Sequence, residues 1–170
     1  MGGKIMLRDM VEGDIKLIHS TFIANAWYKP ADLFPVYFKE QKAGKRDVIV
    51  AEHNGNIAGY VTIFWDTKYK PFRQKGIPEI KDLIVLVKYR RLGIATKLMN
   101  EAERRISKRS KYSGLGVGLY KDYGPAQHMY AKRGYAPDGN GVCYRDKALK
   151  PGQKVMLDDD LNLMMIKKLK

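Results

Sequence analysis

The sequence predicts one α/β domain over residues 1–170, with about seven strands and about four helices, and three observations carry that reading. Apolar residues switch along the chain between period two and a 3-and-4 spacing. Gly, Pro and Asn signals punctuate these segments at short intervals. With 170 residues, 45% of them hydrophobic, the chain can bury one full core without metals or disulfides.

Taken in order, Ile5 and Leu7 alternate with polar neighbours as a first strand, and Asp9 stands where a helix cap belongs before Val11, Ile15, Leu17 and Ile18. Residues 27–43 read as a less regular helical segment: Pro30 and Pro35 interrupt it, while Leu33, Val36, Tyr37 and Phe38 supply an apolar face. VIVAEH, the turn Asn54-Gly55-Asn56 and IAGYVTIFW predict a β-hairpin. Residues 67–78, with Pro71, Gly76 and Pro78, read as a loop into the apolar strand 83–87. A helix over 93–109 places Ile94, Ala95, Leu98, Met99, Ala102 and Ile106 on one face. SGLGVGLY is a Gly-rich strand, 125–133 a short helix closed by Gly134, and two strands follow, near 142–145 and in LNLMMIKK.

Composition narrows the function classes. Lys and Arg number 32 against 18 Asp and Glu, a net charge of +14, which predicts an anionic partner: a phosphorylated cofactor, a nucleic acid or an acidic substrate. One cysteine, Cys143, excludes an internal disulfide and every zinc site needing several thiolates. No apolar run approaches the ~20 residues of a spanning helix and the first ten residues hold no apolar signal core, so a soluble, cytoplasmic protein with no membrane partner is expected. His19, His53 and His128 are dispersed without ligand spacing, and Asp158-Asp159-Asp160 reads as a solvated turn before the last strand; no metal site is expected.

The segment DLIVLVKYRRLGIATKLMNEA concentrates the chemistry. A buried strand passes within a few residues into a helix whose start reads Arg90-Arg91-Leu92-Gly93-Ile94-Ala95. The first N–H groups of a helix lack intrahelical partners, the macrodipole adds positive potential, and Gly93 and Ala95 let backbone approach a bulky anion. Residues 81–111 hold ten basic and three acidic residues, half of the net charge.

These residues resemble the GNAT superfamily of acyl-CoA-dependent N-acetyltransferases, whose Arg/Gln-x-x-Gly-x-Gly/Ala signature is met by Arg90, Gly93 and Ala95. A second segment, Ala126 through Met129, Tyr130, Lys132, Gly134 and Tyr135, is similar to the later Ala-x-x-Leu-Tyr-x-Lys-x-Gly-Phe of that family. The resemblance implies a mixed, mostly antiparallel central sheet and acetyl-CoA as co-substrate. It places the cofactor on Leu86, Val87, Arg90, Arg91, Leu92, Gly93, Ile94, Ala95 and Thr96, with the pyrophosphate on residues 91–96 and the pantetheine arm beside Leu86 and Val87. Ala126 joins this set, as does Tyr123, which stands where many members carry an Asn that touches the arm.

Acyl transfer needs a neutral amine, a stabilised oxyanion and a proton for the departing thiolate. The resemblance assigns the proton to Tyr130, a phenol whose ordinary pKa of about 10 keeps it protonated at neutral pH; a packed core aromatic is its rival reading. It assigns the oxyanion to a backbone N–H near 85–87. Glu79 and Asp82 are both candidates for the base, and each also has a purely structural reading. Their opposite strand parity lets only one of them face a cleft unless a bulge intervenes.

The function read from the sequence is therefore transfer of an acetyl group from acetyl-CoA to a primary amine of an unidentified, non-polycationic acceptor, since a +14 chain repels polycations. Segments 27–38, 69–75 and 147–154, aromatic and basic, are the expected acceptor-facing parts. Three alternatives stay open: a nucleic-acid binder whose basic helix tracks phosphates, acetylation of an RNA-linked aminoacyl group, and an acyl-CoA sensor without turnover. A homodimer is left open as well.

Overall fold

The computed structural model describes residues 3–169. Its elements are β1 (Ile5–Asp9), α1 (Asp14–Ala24), α2 (Leu33–Lys42), β2 (Arg46–His53), β3 (Asn56–Phe64), α3 (Lys70–Gln74), β4 (Glu79–Val85), α4 (Ile94–Ser107), β5 (Tyr112–Gly118), α5 (Gly124–Lys132), β6 (Ala136–Tyr144), β7 (Lys147–Ala148) and β8 (Leu161–Lys168). Hydrogen-bonded neighbours run β1-β2-β3-β4-β5-β8-β6-β7. The pairing is parallel at β4-β5 and antiparallel at β1-β2, β2-β3, β5-β8, β6-β8 and β6-β7. The mixed, mostly antiparallel sheet agrees with the expectation. Among the described residues it has one strand more than expected, the two-residue β7, and one helix more, α3.

The chain divides into two units. The first comprises the residues up to Trp65 and Lys81–Arg105. Its hairpin turns where predicted, with Asn54 and Gly55 both left-handed (φ 50° and 79°), the geometry an Asn-Gly turn favours. Residues 57–63 of β3 are buried without interruption, as in a strand covered on both faces. Phe22 of α1, Phe34 of α2 and Tyr60 of β3 meet edge-on or tilted, with centroids 5.5–6.4 Å apart, and form the centre of this core.

Helix α1 starts later than the sequence suggests. Asp9 ends β1 and pairs with Arg105 (2.6 Å), whereas buried Asp14 accepts the Val11 N–H (2.8 Å) and both terminal nitrogens of Arg8 (2.6 and 2.9 Å). Helix α2 tolerates Pro35 because the proline lies in its first turn, where an N–H lacks an intrahelical partner anyway. Arg105 of α4 also binds Asp47 (3.0 Å) and Glu101 (2.8 Å), which fixes α4 against β1 and β2. The Glu101 carboxyl is held down to about 2, first by its bonds to Arg104 and against the opposing effect of burial, with Arg105 adding to it.

The second unit comprises Asp66–Ile80 and the chain from Ile106 onward. Residues 67–78 are not the expected loop: they contain α3, because Pro71 occupies the first turn of a helix and starts it rather than breaking it. Tyr69 and Phe72 are core residues, 2% and 1% exposed, so the aromatic character of this segment serves packing and not an acceptor wall. The glycines of β5 make room for rings. A Cβ at Gly114 would lie 2.2 Å from the Phe72 ring, and one at Gly118 would lie 2.3 Å from the Tyr123 ring. Helix α5 ends at left-handed Gly134 (φ 90°), with Tyr135 N–H donating to Tyr130 O (3.0 Å) and Gly134 N–H to Ala131 O (3.0 Å). The Tyr130 and Tyr135 rings supply the apolar contact that accompanies this helix stop, 6.1 Å between centroids.

Candidate active site

Strand β4 carries both candidate bases, and the structure separates them. Glu79 is 2% exposed and accepts the Thr67 hydroxyl, whose oxygen in turn accepts the Tyr69 N–H (3.2 Å), so it belongs to a buried network of the second unit. Asp82, in the first unit, is half-buried and left-handed at φ 53°, an uncommon conformation for a non-glycine residue inside a strand. That irregularity breaks the two-residue alternation, and the parity argument relating Asp82 to Glu79 no longer applies. The Asp82 carboxylate accepts the Tyr37 hydroxyl at 2.5 Å.

The end of β4 leads into the turn that the sequence singled out. Leu86 is fully buried and its N–H is spent on Ala58 O (2.9 Å), so Leu86 offers neither side chain nor N–H to a ligand. Residues Val87–Tyr89 make one 3-10 turn, with Val87 68% exposed. Arg91 (φ 63°) and Gly93 (φ 80°) are both left-handed, and α4 begins at Ile94. Its first bond runs from Lys97 N–H to Gly93 O (3.0 Å), so the N–H groups of Ile94, Ala95 and Thr96 precede the ladder. Ile94 is buried and anchors the helix, while Arg91, Leu92, Gly93 and Thr96 are exposed and Ala95 is half-buried. A Cβ at Gly93 would meet no atom within 4 Å. The turn thus has the donors, the positive helix end and the open approach that a pyrophosphate needs.

Arg90 has a local duty that the sequence does not announce: its Nε donates to Val85 O (3.2 Å) and its guanidinium lies 5.8 Å from the Trp27 ring centroid. Farther along α4, Arg104 and Arg105 are committed to Glu101, Asp9 and Asp47, so these two cations are internally paired. The nucleic-acid alternative draws no support from this arrangement.

In the second unit, Tyr130 of α5 is 8% exposed, held between its helix and Tyr135. Ala126 is half-buried one turn earlier on the same helix. Tyr123 packs against Gly118 and donates to Asp159 Oδ1 (2.9 Å), which also accepts the Tyr120 hydroxyl; burial first, then Asp159, pushes the Tyr123 phenol up. Asp158 accepts Tyr144 (2.8 Å) and Asp160 accepts Arg145 (3.0 Å), so each carboxylate of that turn has its own partner. Sequence reasoning missed Gln127, whose amide donates to Gly118 O (2.8 Å) and ties α5 to the end of β5. It also missed Tyr37 as the partner of Asp82, for which no local signal exists. No helix of the described residues is long and apolar enough to cross a membrane.

Strand β4, a turn with left-handed Arg91 and Gly93 and the long helix α4 thus leave backbone N–H groups at an exposed helix start, and comparison with known proteins assigns the family. The profile of the Acetyltransferase (GNAT) family matches residues 16–135, and the chain belongs to that family. An uncharacterized N-acetyltransferase of Archaeoglobus fulgidus is 38% identical over 85 residues, 48% of this chain and 56% of that protein, so the match spans little more than half of the relative. An N-acetyltransferase structure from Staphylococcus aureus shares the fold with a TM-score of 0.71 at 17% identity, covering 98% of this chain and 99% of the other. A Salmonella typhimurium protein solved with its cofactor acetyl-CoA superposes with a TM-score of 0.67 at 17% identity, covering 98% and 94% of the two chains.

Proposed function

We propose that the 170-residue chain works as one N-acetyltransferase domain that moves an acetyl group from acetyl-CoA to a primary amine. The observation that carries this reading is the turn before α4, with left-handed Arg91 and Gly93 and the N–H groups of Ile94, Ala95 and Thr96 ahead of the helix ladder. Arg91, Leu92, Gly93, Ile94, Ala95 and Thr96 would hold the pyrophosphate through backbone. Val87 would flank the pantetheine arm, and Arg90 would brace the turn. When bound, acetyl-CoA supplies an activated acetyl thioester.

The chain's own groups then do the rest. Asp82, half-buried and beside a phenol, takes the proton of the attacking amine, a role for which Glu79 is too enclosed. With the Leu86 N–H committed to Ala58, the carbonyl-polarising donor of this stretch would be Val85 or Val87. Tyr130 gives its proton to the leaving thiolate. Ala126 and Tyr123 are proposed as cofactor neighbours, Tyr123 through its ring because its hydroxyl serves Asp159.

The acceptor is proposed as a neutral or anionic molecule with one free amine, because the chain carries +14 and repels polycations at long range. A reducing cytoplasm suits the single buried thiol of Cys143. The test is thiol release from acetyl-CoA across amino acids, aminoacyl nucleotides, polyamines and aminoglycosides. Turnover concentrated in the first two classes supports the reading. A polyamine or aminoglycoside as much the best acceptor overturns the electrostatic argument, and no turnover with tight acetyl-CoA binding indicates a sensor.

A further inference from the structure

Around Asp82 the first unit assembles a cluster whose chemistry goes beyond a lone carboxylate. Tyr37 of α2 donates to Asp82 Oδ2 at 2.5 Å. The Tyr37 ring lies under the guanidinium of Arg46, 4.3 Å from ring centroid to Cζ, and Arg46 is itself held by Glu40 (2.6 Å) and by the Thr62 hydroxyl (2.7 Å). The phenol is therefore held by the cation over its ring and by its T-shaped contact with Phe34 (6.2 Å). Tyr60 of β3 completes the surroundings: it is 0% exposed and its hydroxyl finds no hydrogen-bond partner among the described residues.

Two features argue that this cluster serves chemistry and not only packing. A network built for stability spends its buried hydroxyls, whereas here the Tyr60 hydroxyl is left unspent within the electrostatic reach of Asp82. Asp82 also adopts a left-handed conformation in mid-strand, which costs energy and persists where surrounding structure enforces it. Burial, then Asp82, opposes ionisation of both Tyr37 and Tyr60, with Arg46 partly offsetting it, so both phenols stay protonated and Tyr37 remains a donor to the carboxylate.

We propose that Tyr37 is a positioning residue that acts through Asp82, holding the carboxylate in the rotamer from which it receives the amine proton. The proposal rests on the reading of Asp82 as the base. In that role the Tyr37 hydroxyl has one consequence for the reaction, the placement of Asp82, and none that survives removal of the Asp82 charge.

A double-mutant cycle on the full chain tests it, with kcat and both KM values measured by thiol release using the best acceptor from the amine panel, and melting curves recorded for each variant. Tyr37→Phe retains the ring under Arg46 and against Phe34. Asp82→Asn retains the left-handed backbone, which asparagine tolerates. The expected result is a roughly 10- to 100-fold drop in kcat for Tyr37→Phe with both KM values within about twofold, a larger drop for Asp82→Asn, and no further drop in the double variant. An equal fractional loss from Tyr37→Phe in both backgrounds, or unchanged kcat in Tyr37→Phe, overturns the positioning role while leaving Asp82 as the base. Full kcat in Asp82→Asn overturns the base reading, and the inference with it.

Discussion

Replacing Gly59 with alanine tests how closely β3 and β4 must approach for the turn after β4 to be placed. Gly59 lies in β3, and a Cβ built there would stand 2.3 Å from Ile84 O and 3.0 Å from Val85 Cα, both backbone atoms of β4. Ordinary contact requires about 3.5 Å, so β4 must retreat by roughly 1 Å at that point. The retreat strains the Leu86 N–H bond to Ala58 O (2.9 Å), one residue from the substitution. Overpacking costs about 1–3 kcal/mol and a weakened buried hydrogen bond about 1 kcal/mol, partly offset by the better strand propensity of alanine, giving a net loss of about 2–3 kcal/mol. Urea unfolding should show a lower midpoint with an unchanged m value. Gly13→Ala is the control, since nothing lies within 4 Å of its Cβ and φ is −61°; it should stay within about 0.5 kcal/mol of wild type. A Gly59→Ala variant as stable as Gly13→Ala would refute the close-approach argument.

Asp14→Ala should destabilise by about 1–3 kcal/mol at neutral pH: Arg8 keeps Glu52 (2.7 Å) but loses both bonds to Asp14, and the Val11 N–H loses its acceptor. Burial alone would raise the Asp14 carboxyl, but Arg8 and the Val11 N–H together hold it below its ordinary value. Its contribution is therefore complete above the ordinary carboxylate range and lost as pH falls. Urea midpoints of variant and wild type should converge in acid, and a constant gap between pH 7 and pH 3 would contradict this. Tyr130→Phe removes one oxygen and keeps the contact with Tyr135; kcat should fall by about 10²- to 10⁴-fold with near-normal acetyl-CoA affinity. Wild-type kcat under conditions where chemistry limits turnover would demote Tyr130 to the packing role its helix stop also explains.

What was legible in the sequence is what local chemistry dictates. The Asn54-Gly55 turn requires two left-handed residues, the Gly93 turn requires open backbone at a helix start, and Gly134 stops a helix; each is read from a few adjacent residues. What was not legible depends on distant partners or on ambiguous signals. Pro71 reads equally as a breaker and as a helix start, and only the burial of Tyr69 and Phe72 decides for α3. Asp9 reads as a cap until Arg105 takes it and α1 begins instead at Asp14, which Arg8 holds. The left-handed conformation of Asp82 carries no glycine to mark it, and its partner Tyr37 is 45 residues away. Nothing near Tyr123 predicts that Asp159, 36 residues on, claims its hydroxyl.

Whether acetyl-CoA is held by the turn before α4 is decided by calorimetric titration of acetyl-CoA into wild type, Gly93→Ala and Gly93→Glu. Both substitutions place a side chain at φ 80°, at a backbone cost of about 1–3 kcal/mol, and neither meets an atom within 4 Å at its Cβ, so both variants should fold. The glutamate alone brings a negative charge to the pyrophosphate position. Wild type should bind in the micromolar range or tighter, Gly93→Ala more weakly and folded Gly93→Glu not detectably; wild-type affinity in folded Gly93→Glu would place the cofactor elsewhere.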